Sequence, residues 1–121
     1  MTAPAAARPT IQAVILCAAW CGVCREFAPA LAELARQHPG IRFDWLDVED
    51  EADLVDELDV DNFPTLLLGV DGTPVFFGTV LPNAAMVGRL AQDAASQPAL
   101  PPSEITPVLR QVLASRSLPT P

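Results

Sequence analysis

Lysine is absent from this chain, and no arginine lies between Arg42 and Arg89. Ten of the fifteen acids fall between Asp44 and Asp61, and the formal net charge is −8. That balance excludes nucleic acid as an expected partner, because binding there needs cations that replace phosphate counterions. The acidic stretch fits either a solubilising face or the approach of a cationic protein. No apolar run nears the roughly 18 residues of a membrane span. The first residues, "MTAPAAARPTIQAVILCAAW", lack the basic-then-apolar order of a secretion signal, so a cytoplasmic protein with no membrane partner is expected. Cysteine is scarce as well: Cys17, Cys21 and Cys24 are the whole complement, and His38 is the one histidine. A structural zinc needs four such ligands, so no metal is expected.

What is present is apolar. Half of the 121 residues are hydrophobic. A chain of that length buries about two-thirds of its unfolded surface, enough for one domain with a core. Residues 1–10 are rich in Ala and Pro and read as a loose arm. "IQAVILCA" (Ile11–Ala18) is β-branched and apolar throughout, as a central strand buried on both faces would be. From Gly22 to about Gln37 the period becomes helical, with Phe27, Leu31 and Leu34 on one stripe. Pro29 falls inside that helix and predicts a kink. "IRFDWLDV" (Ile41–Val48) reads as a second strand, and Asp50 can cap a helix over Glu51–Leu58. "TLLLGVDGTPVFFGTV" (Thr65–Val80) is a hairpin turning at Asp71-Gly72. Asn83 caps a further helix to about Ala95, with Met86, Val87, Leu90 and Ala94 predicted inward. These elements fill residues 11–95 and imply an α/β fold, a central mixed four-stranded sheet flanked by helices. Residues 96–102 form a Pro-rich linker. Ser103 then caps an extra C-terminal helix over 103–116, with Ile105, Val108, Leu109, Val112 and Leu113 at amphipathic spacing and Pro107 in the first turn. Residues 117–121 are a tail.

"WCGVC" (Trp20–Cys24) is where chemistry is expected. A strand ending at Ala19 and a helix beginning at the motif put Cys21 at a helix N-terminus, where free amides and the helix dipole stabilise a thiolate. Cys24 lies one turn on, on the same face, within reach of a disulfide. The two roles are unequal. Cys21 attacks, and Cys24 closes the exchange on the mixed disulfide. A zinc site or a purely structural pair are the competing readings.

"WCGVCR" resembles the active-site motif of thioredoxins, usually WCGPCK. Pro29 sits at the family's helix-kink position, "FPTLLL" (Phe63–Leu68) is similar to its Ile-Pro-Thr segment, and "VDG" matches its hairpin turn. Order and spacing agree over about residues 11–95. The resemblance implies a thioredoxin-like fold and a thiol–disulfide oxidoreductase working on protein disulfides, recharged by a reductase or another dithiol donor. No dissociable cofactor is implied, since the dithiol carries the electrons. It further implies a cis peptide before Pro64, and a docking surface built from Trp20, Gly22, Val23, Phe63 and Pro64, with the Phe63 backbone pairing to an extended client.

The chain also departs from that family. Its buried acid, six positions before the first cysteine, is Ile15 here, and the lysine near that acid falls on Trp45. Replacing both members of a buried pair is close to neutral for the fold, whereas losing one costs about 3–5 kcal/mol. Cys24 in a drier pocket should resist ionising, so slower release of the mixed disulfide is expected. Val23 replaces a proline that helps set redox poise, Arg25 keeps the cation of the usual lysine, and Val80 replaces a glycine in the loop beyond the hairpin. Cys17 stands where the family has tryptophan. Its position on the strand argues against reach to the pair, so a small buried hydrophobe is expected, with a third redox thiol as the alternative. Only ten residues precede the first strand, where the family has a strand and a helix. The C-terminal helix is therefore expected to cover the bared sheet, or to pair two copies into a dimer in place of a monomer. A different class also fits: a thioredoxin-fold interaction or chaperone module that binds a client, its dithiol vestigial.

Overall fold

A computed structural model of the chain describes residues 10–18, 22–49, 64–81, 83–101, 103 and 105–115. Strand β1 (Ile11–Cys17) leads to helix α1 (Gly22–Gln37), strand β2 (Ile41–Asp47), the hairpin β3 (Thr65–Val70) and β4 (Thr73–Thr79), helix α2 (Ala84–Gln92) and helix α3 (Ile105–Ser115). The sheet order is β2-β1-β3-β4. β1 runs parallel to β2 and antiparallel to β3, and β3 pairs antiparallel with β4. The continuous apolar run of β1 thus occupies an inner position, as its composition requires. The helix expected over 51–58 lies outside the described residues.

Alternation along β1 divides the interior in two. Ala13, Ile15 and Cys17 join one core with Phe27, Leu31 and Leu34 of α1 and Val87 and Ala91 of α2. Val14 and Leu16 join the other, with Leu46, Leu67 and Val108, Leu109 and Val112 of α3. Successive strand side chains point to opposite faces, so one strand supplies both layers. In α1 the buried positions are Cys24, Phe27, Leu31 and Leu34, a single stripe at helical period. The helix continues through Pro29, which lies on the exposed side.

Turn chemistry fixes the hairpin. Asp71 and Gly72 both take positive φ, 53° and 83°, the conformation a two-residue hairpin turn prefers and that Asp-Gly supplies at little cost. Thr10 and Asp71 exchange two hydrogen bonds, each 2.9 Å, tying the start of β1 to this turn. The pairing slips between Leu68 and Gly69, so that Gly69 faces Pro74. Pro74 is tolerated because β4 is an edge strand.

The C-terminal helix lies on the sheet of its own chain. Ser103 begins it, its hydroxyl accepting the Ile105 amide at 3.2 Å. Leu109 comes so near Gly69 that a side chain there would run into it. Three polar ties fix the helix laterally. Gln12 Nε2 donates to the Leu109 carbonyl (3.4 Å), Arg42 Nη2 to the Val112 carbonyl (3.0 Å), and Arg110 Nε to the Gly72 carbonyl (3.1 Å). The Val112 carbonyl is in the last turn, where helix carbonyls lack an internal partner and a guanidinium is favoured. The preceding segment is pinned too, since the Leu100 amide donates to Pro74 at 2.9 Å.

Two sequence expectations are corrected here. Met86, predicted inward, is 41% exposed; the buried face of α2 is Val87, Gly88 and Ala91, one step round the helix. Asn83 caps α2 as expected, its Oδ1 accepting the Met86 amide at 3.1 Å, and this holds Met86 at the open end of the first turn. Asp44, counted with the acidic face, is 1% exposed and paired to Arg42 at 2.8 Å.

Candidate active site

Helix α1 starts just beyond β1, so the CGVC segment falls where a strand gives way to a helix. Gly22 is exposed at the first position of α1, and Cys24, two residues on, is fully buried. Trp20, Cys21 and Phe63 lie outside the described residues, as does the Val23 side chain. Pro64 is buried, and its carbonyl accepts the Val80 amide at 3.0 Å. The residue at the unusual Val80 position is therefore fastened to the proline of "FPT".

The structure bonds Cys24 to Cys17 in a disulfide, across a Cα–Cα distance of 6.0 Å. That corrects the expectation that Cys17 is out of reach and serves only as a small hydrophobe; the partner foreseen for Cys24 had been Cys21. Each periodicity already held the answer. Alternation puts Cys17 on the face of Ile15, toward α1, while the helical stripe of Phe27, Leu31 and Leu34 includes Cys24. Read together, the two patterns point both sulfurs into one layer.

Around this bond the lining is apolar. Ile15 is fully buried and registers with Leu66 on one side and Trp45 on the other. All three belong to the core that holds Cys17 and Cys24. The two positions where a buried acid and a lysine were implied thus form an adjacent Ile–Trp pair beside the sulfurs, and neither leaves an unpaired charge. Among the described residues, no three His, Cys, Asp or Glu side chains gather as a metal ion would require. No described helix is long and apolar enough to cross a membrane.

A strand–helix junction bearing cysteines, a mixed sheet and a hairpin behind a proline agree with the family-level match: the family model Thioredoxin covers residues 7–87. The chain belongs to the thioredoxin family. Among curated relatives, it is 40% identical to mitochondrial thioredoxin-3 of Saccharomyces cerevisiae over 55 residues, 46% of this chain and 43% of that protein. It is 40% identical to an H-type thioredoxin of Picea mariana over 65 residues, 54% of this chain and 52% of that one. The chain therefore spans about half the length of these curated thioredoxins. The crystal structure of oxidised yeast mitochondrial thioredoxin 3 superposes with a TM-score of 0.63 at 28% identity, covering 71% of this chain and 80% of that one. The matched family region stops at residue 87, so helix α3 lies beyond it.

Proposed function

We propose that the chain is a thiol–disulfide oxidoreductase that exchanges electrons with disulfides of other proteins. Cys21 is the nucleophile: its thiolate attacks a client disulfide, forming a mixed disulfide and releasing one client thiolate. Cys24 attacks the Cys21 sulfur of that intermediate, freeing the second client thiolate and leaving Cys21–Cys24 oxidised. A reductase or another dithiol donor returns the pair to the thiol state, and no dissociable cofactor takes part. Trp20, Gly22, Val23, Phe63 and a cis-Pro64 form the docking surface, and the setting is cytoplasmic, where thiols are kept reduced. The observation that carries this reading is Cys24 itself. One sulfur of the CGVC motif sits in the first turn of α1 and is engaged in a disulfide, with Cys17 rather than Cys21 as its partner in the structure. Family membership supports the same chemistry.

Reduction of insulin by dithiothreitol tests it. The wild-type chain should accelerate precipitation of the insulin B chain, and Cys21→Ser should abolish that acceleration. Equal rates with the variant would favour a client-binding module instead.

A further inference from the structure

We propose that Cys17 is a third exchange thiol, which takes the bond of Cys24 and converts the oxidised protein from a turnover enzyme into a covalent trap for its client. The proposal rests on the reading of Cys21 as the nucleophile. Its own foundation is separate: the bond between Cys17 at the end of β1 and Cys24 in the first turn of α1. Cys24 is thus contested. The motif offers it Cys21, and the fold offers it Cys17.

The exchange is redox-neutral. The Cys17 thiolate attacks Sγ of Cys24 in the Cys21–Cys24 disulfide. The Cys21–Cys24 bond breaks as Cys17–Cys24 forms, and Cys21 departs as a thiolate. The proton lost by Cys17 is balanced by the one Cys21 can take up from solvent. No outside oxidant is consumed, because the electrons were already given up to the client disulfide in the preceding turnover.

Burial gives the isomer its consequence. Cys17 and Cys24 are both fully buried, so a dithiol in solution has no direct line to their bond. Cys21, three positions before Cys24 in the chain, is the route by which the bond reopens, through reversal of the exchange. Once the freed Cys21 attacks a new client disulfide, that route is closed. Cys24 is occupied and cannot resolve the mixed disulfide. The client stays attached until an external dithiol cleaves the Cys21–client bond.

The test uses the full chain, refolded from denaturant in a glutathione redox buffer, quenched in acid and mapped by differential alkylation. No Arg and no Lys lies between Cys17 and Cys24, so the labels are located by fragmentation of one peptide. In wild type, a population with Cys17 and Cys24 protected and Cys21 alkylated is expected. Cys17→Ala should lose that population, and Cys21→Ser should retain the Cys17–Cys24 bond whether or not Cys21 proves to be the nucleophile in insulin reduction. In the native state, dithiothreitol should open the bond in wild type and fail to open it in Cys21→Ser, which yields only on denaturation. Alkylation of both Cys17 and Cys24 in refolded Cys21→Ser would overturn the proposal. So would a wild type that holds only Cys21–Cys24. Equal native reduction rates for wild type and Cys21→Ser would overturn the trap, because they would show that the buried bond reopens without Cys21.

Discussion

The two faces of the sheet are both apolar, yet they hold their helices by different means. On the face covered by α1 and α2, Cys17 of β1 is joined covalently to Cys24 of α1, and among the described residues the surrounding core holds no buried charge. On the face covered by α3, the helix is seated by Leu109 over Gly69 and by side chains from the sheet that reach helix carbonyls. The buried polar residues Gln12 and Asp44 belong to strands beneath that second helix and work through hydrogen bonds and an ion pair. One face carries a disulfide, and the other completes a core. Stability and chemistry should therefore separate when each face is perturbed alone.

Removing residues 97–121 would break the comparison most severely. It uncovers Val14, Leu16, Leu46 and Leu67 at once, all fully buried in the intact chain. Each such side chain is worth about 1.5–3 kcal/mol on exposure, so the truncated chain should melt far lower, bind hydrophobic dyes or associate. An unchanged melting temperature with an unchanged oligomeric state would show that α3 is not needed to close the sheet. Leu109→Ala is the single-residue form of that test. A fully buried leucine over a close backbone approach should cost about 3 kcal/mol in denaturant unfolding, with the thiol exchange rate preserved. A large loss of exchange in a variant that remains folded would mean that the two faces are coupled.

The opposite face gives the sharper contrast. Ile15→Asp places an acid beside Cys17 and Cys24 with no lysine to meet it, and burying an uncompensated charge costs about 3–5 kcal/mol. Release of the mixed disulfide in single-turnover exchange should nevertheless quicken by at least about tenfold, as a positioned base would allow. No change in that rate would remove Ile15 from the account of slow resolution. The smallest effect belongs to Asn83→Ala, which deletes the cap on the Met86 amide. About 1 kcal/mol of stability should be lost, with exchange unaffected.

Much of this was legible in the chain itself. The inner position of β1 follows from an apolar run without polar alternation, and the hairpin from Asp71-Gly72, the pair best suited to positive φ at two successive residues. The span of α1 and the caps at Asn83 and Ser103 were readable from local hydrogen-bonding chemistry. Met86 was misplaced because a period of 3.6 with several apolar residues leaves the exact phase of a short helix open, and packing against α1 selected the Gly88 side.

Sequence alone determined the order of the described elements, the family and the strand–helix junction that carries Cys24, since each depends on neighbours a few positions apart. Only the tertiary structure decided which sulfur Cys24 meets, and which surface the last helix covers. Those contacts join residues through the direction a strand face points and the way a helix lies across it. Such directions arise from the packing of whole layers, which no local spacing records.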